Sequence, residues 1–218
     1  AGGWGVVAWQ RAADERGRRE RQERESAAER LRAAERKEAC DQAYQTGMRL
    51  YSTRRFDEAL ARFEEAIAID PSSEPAHLNR AQLLRDVGRR EPARDAYREA
   101  ARLLPRSSTA RHQLGSLLFE EGKFDEAVAA FTESIALEPD HAMAYSNRGY
   151  AHLRAGRLED ALADLERAVQ LDPRYAEAHL RRGIAWREKG DLEKAQADHD
   201  RAIELAPELA ENWYQRAR

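Results

Sequence analysis

Five prolines recur along the chain at a constant interval, and this interval constrains the fold more than any other feature. They lie 34 residues apart, and each ends a similar stretch, of which FDEALARFEEAIAIDP at 56–71 is one copy. A strict period of this length indicates supersecondary units that stack, because one such unit cannot bury its apolar face alone. The prolines are Pro71, Pro105, Pro139, Pro173 and Pro207.

Each repeat contains two stretches of helical composition with a turn signal between them. Ala, Glu, Arg and Leu dominate the chain, charged residues make up 35% of it, and little of it alternates as strands do. We therefore expect an all-α protein. Arg54 stands at the turn of the first repeat, where a left-handed conformation would cost about 1 kcal/mol. The other repeats have a glycine there, expected at positive φ just past a helix end: Gly88, Gly122, Gly156 and Gly190.

Small and bulky residues also recur in register and indicate where the two helices of a pair touch. A small residue on the first helix allows a bulky residue of the second helix to approach, so that antiparallel helices pack ridges into grooves. The small positions are Gly47, Ala81, Gly115, Gly149 and Gly183, and the bulky positions are Phe63, Tyr97, Phe131, Leu165 and His199.

The spacing of these small, bulky and proline positions resembles the tetratricopeptide repeat (TPR). The resemblance implies a right-handed α-solenoid of antiparallel helix pairs, in which the first helices line a concave groove and the second helices form the convex back. It also implies a binding scaffold without catalytic activity. It covers five tandem units, at 40–73, 74–107, 108–141, 142–175 and 176–209.

A charged segment at 11–39 precedes the repeats and is predicted to form a long helical spacer. Pairs such as Glu15 with Arg19 and Glu20 with Arg24 lie four residues apart in the favourable order. Leu31 is its only large apolar side chain, so no coiled-coil seam is present.

The first ten residues, AGGWGVVAWQ, form a separate apolar segment that contains Trp4 and Trp9. Three interpretations stay open: the end of a truncated membrane anchor, a docking segment that inserts into a partner protein, and a disordered end. An anchor would tether an otherwise soluble repeat domain to a membrane, and the sequence leaves the compartment open.

The last residues, 210–218, read as the start of a sixth repeat or a cap helix. A repeat array needs a solvated end, because its last unit otherwise exposes an apolar face. We expect Trp213 to cover part of that face, and either a continuing chain or a partner to cover the rest.

Candidate binding residues follow from placing the first helices along the concave groove. Aromatic, Met and amide side chains on such a face suit a peptide or a partner helix. The selected positions are Tyr44, Met48, Asn79, His112, Phe119, Asn147, Tyr150 and Arg181.

Some TPR domains grip carboxylate tails of chaperones with a five-residue clamp, and this sequence matches it poorly. Asn147 and Arg181 match two of the five places, while His112, Ser116 and Glu177 stand at the others. Glu177 would repel a carboxylate. We reject a standard clamp and expect only that Asn79 and Asn147 hydrogen-bond a ligand backbone.

Other classes of function find little support in the sequence. No HExxH, CxxC, GxGxxG or P-loop pattern occurs, so neither a metal nor a cofactor is expected. Nucleic-acid binding is not expected either, because residues 40–218 carry 27 Lys or Arg against 32 Asp or Glu. The lone Cys40 excludes an intrachain disulfide.

These observations predict a non-catalytic scaffold that binds a peptide or partner helix in its groove, within a larger or membrane-associated assembly. The alternative is a structural subunit held by its Trp-containing N-terminal segment and its C-terminal end, with the groove unoccupied. The sequence leaves the oligomeric state open.

Overall fold

A computed structural model describes residues 3–207, apart from the side chains of residues 3–8 and 10–16. Within this range the chain forms ten helices and no strand, as the all-α prediction requires. The 210–218 segment with Trp213 lies outside the described residues. The helices are α1 (Gly3–Ser52), α2 (Phe56–Ile69), α3 (Glu74–Asp86), α4 (Arg90–Leu103), α5 (Ser108–Glu120), α6 (Phe124–Leu137), α7 (Ala142–Arg154), α8 (Leu158–Leu171), α9 (Ala176–Lys189) and α10 (Leu192–Leu205).

The helices pack mainly with their neighbours in sequence. Close pairs join α1 to α2, α5 to α6, α7 to α8, and α9 to α10. The last three pairs each lie within one 34-residue period, whereas α1 begins 37 residues before Cys40, where the first period starts. Successive pairs stack where α4 meets α5, α6 meets α7, and α8 meets α9. The chain divides into two compact units, unit 1 (Ala1–Ala76) and unit 2 (His77–Arg218).

Unit 1 is built around the C-terminal part of α1. A helix of 50 residues joins the N-terminal segment, the charged spacer and the first helix of repeat one. Residues 18–39 of this helix are almost entirely exposed, and burial begins at Cys40. Cys40 packs in a cluster with Ala43, Ala66 and Ala76, and its thiol donates a hydrogen bond to the Ala66 carbonyl at 3.5 Å.

The small positions predicted on the first helices lie against the bulky positions of the second helices. A Cβ atom added at Gly115 would lie 2.8 Å from the Phe131 ring, and one added at Gly183 would lie 2.6 Å from the His199 ring. Phe131 is buried and His199 is half-buried. A Cβ atom at either of these two glycines would therefore require the facing ring to shift or the two helices to move apart.

The turns between paired helices have the predicted left-handed conformation. The four turn glycines have φ values between 76° and 89°, and Arg54 has φ 59°. Arg54 is the only non-glycine residue at positive φ among the described residues. The turn geometry thus persists in the first repeat although an arginine occupies it.

Two buried aspartates on second helices hold arginines of the preceding first helices. Asp164 accepts two hydrogen bonds from Arg148, both at 2.7 Å, and Asp198 accepts two from Arg182 at 2.8 and 2.7 Å. Pairing with the carboxylate raises the pKa of each guanidinium. These two bridges are one repeat apart, so the fold repeats a bidentate ion pair between paired helices.

Replacing Arg54 with glycine tests the turn geometry. The substitution Arg54→Gly removes the steric cost of a left-handed arginine, and we expect the free energy of unfolding to rise by about 1 kcal/mol. The matched control, Gly122→Ala, introduces the same strain at an equivalent turn and should lower it by a similar amount. Urea denaturation followed by circular dichroism measures both changes. No gain from Arg54→Gly would mean that the strain is relieved elsewhere.

Removing a buried aspartate tests the ion pairs. Asp198→Ala leaves the Arg182 guanidinium half-buried without its carboxylate, and we expect a loss of about 3–5 kcal/mol in unfolding free energy. Asp200→Ala, two residues away on the exposed side of α10, should change it by less than about 0.5 kcal/mol. Equal urea midpoints for the two variants would contradict a structural role for this bridge.

Candidate functional site

The first helices of unit 2 come together on one side of the unit. Helix α5 contacts α7, and α7 contacts α9, whereas no comparable contact joins α6 to α8 or α8 to α10 in the described chain. Side chains on these three helices can therefore interact across successive repeats. We call the surface formed by His112, Phe119, Asn147, Tyr150, Arg154 and Arg181 the first-helix face.

A hydrogen-bonded chain crosses this face from α5 to α9. Asn147 Nδ2 lies 2.8 Å from Nε2 of His112, and Arg181 donates to Asn147 Oδ1 at 2.6 Å. Arg181 also donates to the buried Ser146 hydroxyl at 3.0 Å. Its Nε lies 3.2 Å from a Glu177 carboxylate oxygen, an ion pair whose angle does not allow a hydrogen bond. Three residues that the sequence analysis selected separately thus form one polar network.

The donors in this network determine the protonation of His112. Arginine can only donate, so the oxygen of the Asn147 amide faces Arg181 and its NH₂ group faces His112. Nε2 of His112 must then accept, and the ring is neutral with its proton on Nδ1. Asn147 keeps one N–H and one oxygen lone pair, which leaves it capacity for a ligand backbone.

The surroundings of His112 favour the same neutral form. Burial, followed by the charges of His141 and Arg181, lowers its pKa to about 4, although Glu138 acts in the opposite direction. The His141 ring lies 5.5 Å away and the Phe131 ring of α6 also lies 5.5 Å away, centre to centre. The sequence analysis predicted that His112 faces a ligand in the groove. In the structure its ring is buried and is part of the hydrogen-bonded network.

Aromatic rings form a second row beside the polar network. The Phe119 and Tyr150 ring centres are 5.1 Å apart, with an interplanar angle of 36°. The Arg181 guanidinium lies 4.9 Å from the Tyr150 ring centre on one side of this pair. On the other side Arg154 lies 5.8 Å from Phe119 and 4.8 Å from Phe124. Two cations thus flank a pair of tilted, half-buried rings in contact.

The remaining predicted binding residues lie elsewhere. Tyr44 and Met48 are half-buried on α1 of unit 1, where the Tyr44 ring centre is 6.0 Å from that of Phe63. Asn79 is half-buried on α3. Trp9 is 65% exposed on α1, and the side chain of Trp4 lies outside the described residues.

Sequence reasoning missed the contacts that tie these residues together. His112 and Asn147 are 35 residues apart, and Asn147 and Arg181 are 34 apart, so each pair falls close to one repeat length. A separation of one repeat length would have indicated that these residues lie side by side on successive first helices. Phe124 begins α6, and its ring lies 4.8 Å from the Arg154 guanidinium.

One buried histidine is paired with a carboxylate but is not exposed for chemistry. His179 Nδ1 lies 3.1 Å from Asp198, and its Nε2 lies 3.1 Å from the Pro173 carbonyl. Both ring nitrogens are thus occupied within the core. Across the described chain, no group of three His, Cys, Asp or Glu side chains is arranged to hold a metal ion, and no helix is long and apolar enough to cross a membrane.

Family models place the chain among the tetratricopeptide repeat proteins. One model described as tetratricopeptide repeat matches residues 112–175 and 152–217, and a second with the same description matches residues 50–118. Together they span well over half of the chain, and the chain belongs to this family. A comparison with curated proteins found no significant match.

Solved structures that share this fold include MamA, PilF and YrrB. The protein in a crystal structure of MamA is 23% identical in sequence to this chain. The alignment covers 80% of this chain and 95% of the MamA chain, with a TM-score of 0.68. PilF of Pseudomonas aeruginosa is 22% identical, with 84% and 87% covered and a TM-score of 0.67. YrrB, a TPR protein with an unusual peptide-binding site, is 22% identical, with 79% and 90% covered and a TM-score of 0.64. At these identities the likeness shows the fold alone.

The neutral state of His112 predicts a specific pH dependence of stability. The unfolded chain binds this proton near pH 6.5, but the folded chain binds it only near pH 4. The contribution of His112 to the free energy of unfolding is therefore fully present above pH 6.5. It is lost as the pH drops toward 4, by up to about 3 kcal/mol. His112→Gln keeps an acceptor for Asn147 but cannot titrate, so its unfolding free energy should fall less over this range. Parallel pH profiles of the two proteins would contradict the assignment.

Proposed function

We propose that the chain is a non-catalytic interaction scaffold and that its unit 2 binds a peptide or a partner helix along the first-helix face. The observation that carries this proposal is the row of half-buried aromatic rings flanked by two guanidinium groups. Apolar and aromatic surface that is partly open to solvent suits the side chains of an extended or helical ligand.

The polar network supports the proposal, because it holds the face in one conformation before a ligand arrives. Arg181 is fixed by Asn147 and by its position above Tyr150. Side chains that are already ordered lose little entropy on binding, so more of the contact energy contributes to affinity. Asn147 then offers its remaining N–H and lone pair to the backbone of the ligand.

We further propose that the N-terminal residues serve assembly. Residues 1–10 act as a docking or anchor segment, residues 11–39 as a spacer, and the repeats from residue 40 as the binding module. The exposure of residues 18–39 along α1 supports the spacer role, since this stretch has no core of its own. Trp9 lies beyond it with most of its indole exposed.

The second candidate function is a structural subunit that is held by its ends. The observation in its favour is again Trp9, because a large exposed aromatic side chain is a common anchor of protein interfaces. In this case the first-helix face would have no ligand. The two candidates make opposite predictions for the same pair of experiments.

A random library of 12-residue peptides displayed on phage tests the first candidate. We expect the full chain to select peptides, and Tyr150→Ala to weaken a selected synthetic peptide by about tenfold or more, since it removes a central aromatic contact. Fluorescence anisotropy measures the dissociation constants. The matched control is Tyr145→Ala on the same helix, where the ring packs against Arg148 and Arg167 instead.

The outcomes separate the two candidates. The control variant should bind within about twofold of the wild type, because a residue outside the interface contributes little. Deletion of residues 1–10 should also leave peptide binding unchanged. Equal loss in both tyrosine variants, or selection of no peptide at all, would contradict binding on the first-helix face. Loss of peptide binding on deletion of residues 1–10 would mean that the peptide binds the N-terminal segment. That result would favour the structural subunit, which makes its contacts through its ends.

A further inference from the structure

Arg154 differs from most of the other arginines on the first helices of unit 2. Arg85 lies 3.8 Å from Glu120, and Arg181 is engaged by Asn147 and Glu177. Arg154 is exposed, and its recorded partners within the described part of the chain are the rings of Phe119 and Phe124. Its positive charge is therefore held in place without being matched by a carboxylate.

The two rings lie close to the guanidinium of Arg154. The Arg154 Cζ atom is 4.8 Å from the Phe124 ring centre, within the range of a cation–π contact. Such a contact engages the positive charge without forming the N–H hydrogen bonds that a carboxylate would accept, so those donors stay available. The edge carries paired donors whose spacing matches the two oxygens of a carboxylate.

Arg187 of α9 provides a useful contrast. It is also exposed, and it is not recorded in an ion pair within the described residues, but no aromatic ring holds its guanidinium there. A free arginine of this kind loses much side-chain entropy when it forms an ion pair, which is why surface pairs contribute little. Arg154 avoids most of that loss, since its position is already set by the rings.

We propose that Arg154 forms a subsite for the carboxylate of an Asp or Glu side chain in the peptide that binds the first-helix face. This subsite rests on the proposed function of that face. The ligand is thus a peptide with an acidic residue close to an apolar one. The acidic residue pairs with the edge of Arg154, and the apolar residue packs on the neighbouring rings of Phe119 and Tyr150.

The subsite is assigned to an internal acidic side chain of the ligand. The face continues from Arg154 over Phe119 and Tyr150 to Arg181, so a ligand can extend from the subsite toward the Asn147 network. The carboxyl terminus of a peptide is treated below as an outcome of the test.

Selection from the displayed peptide library provides the first test. Peptides selected by the full chain should share an Asp or Glu at one position, and those selected by Arg154→Gln should lack this preference while keeping the apolar position. Selection of peptides without an acidic preference would overturn the subsite and leave the proposed function standing. Failure to select any peptide would overturn the proposed function, and the subsite with it.

Synthetic peptides provide the second test. We expect a Glu→Gln change in a selected peptide to weaken binding to the wild type by about tenfold, as loss of a charge-assisted pair does. The same change should have no effect on binding to Arg154→Gln. The matched control Arg187→Gln removes an equal charge and should respond to the peptide change as the wild type does.

Three results would contradict the subsite in this second test. The first is an equal response of Arg154→Gln and the wild type to the Glu→Gln change. The second is that Arg187→Gln weakens binding of the Glu-containing peptide as much as Arg154→Gln does, which would indicate general electrostatics. The third is loss of binding when the peptide is amidated at its carboxyl terminus, which would assign Arg154 to a chain end. If Arg154→Gln and the wild type bind the Gln-containing peptide with equal affinity, the variant is folded.

Discussion

The close approach of two helices at a glycine is the contact on which the rest of this structure depends. At Gly115 and Gly183 a hydrogen atom occupies the place where any Cβ would press against the ring of the partner helix. This approach sets the distance between the helices of a pair, and the pair sets where the next helix can stack. Bidentate bridges such as Arg182 to Asp198 lie beside the same contact and add direction to a packing that apolar surfaces alone would leave less specific.

Stacking brings side chains from successive repeats into reach of one another on the first helices. His112, Asn147 and Arg181 come from three different helices, and each is about one repeat away from the next in sequence. The network is possible because α5, α7 and α9 converge, whereas the second helices do not. A binding face of this kind is a product of the stack, since no single helix pair carries it.

The peptide recognition that we propose for this face rests on two arginines with different environments. Arg181 is satisfied inside the protein and orders the face, whereas Arg154 is held by rings and keeps its donors for a partner. The neutral His112 contributes to order as well, because its Nε2 accepts a hydrogen bond from Asn147 and its lowered pKa favours that form. Because Arg181 is bonded within the protein and Arg154 is not, the proposed ligand is a peptide with an acidic residue for Arg154 and an apolar residue for the rings.

The sequence by itself determined the repeat length, the all-α class, the helix pairs and the left-handed turns, because each depends on local propensity or on a residue type at a fixed interval. The repeat period was enough to predict that Gly122 lies at a turn and that Gly115 packs against Phe131. Only the tertiary structure decided that His112 is buried and bonded to Asn147, that Arg181 supports the face, and that Arg154 lies on two rings. Those properties depend on the distance and angle between stacked helices, which are set by the packing of many side chains at once.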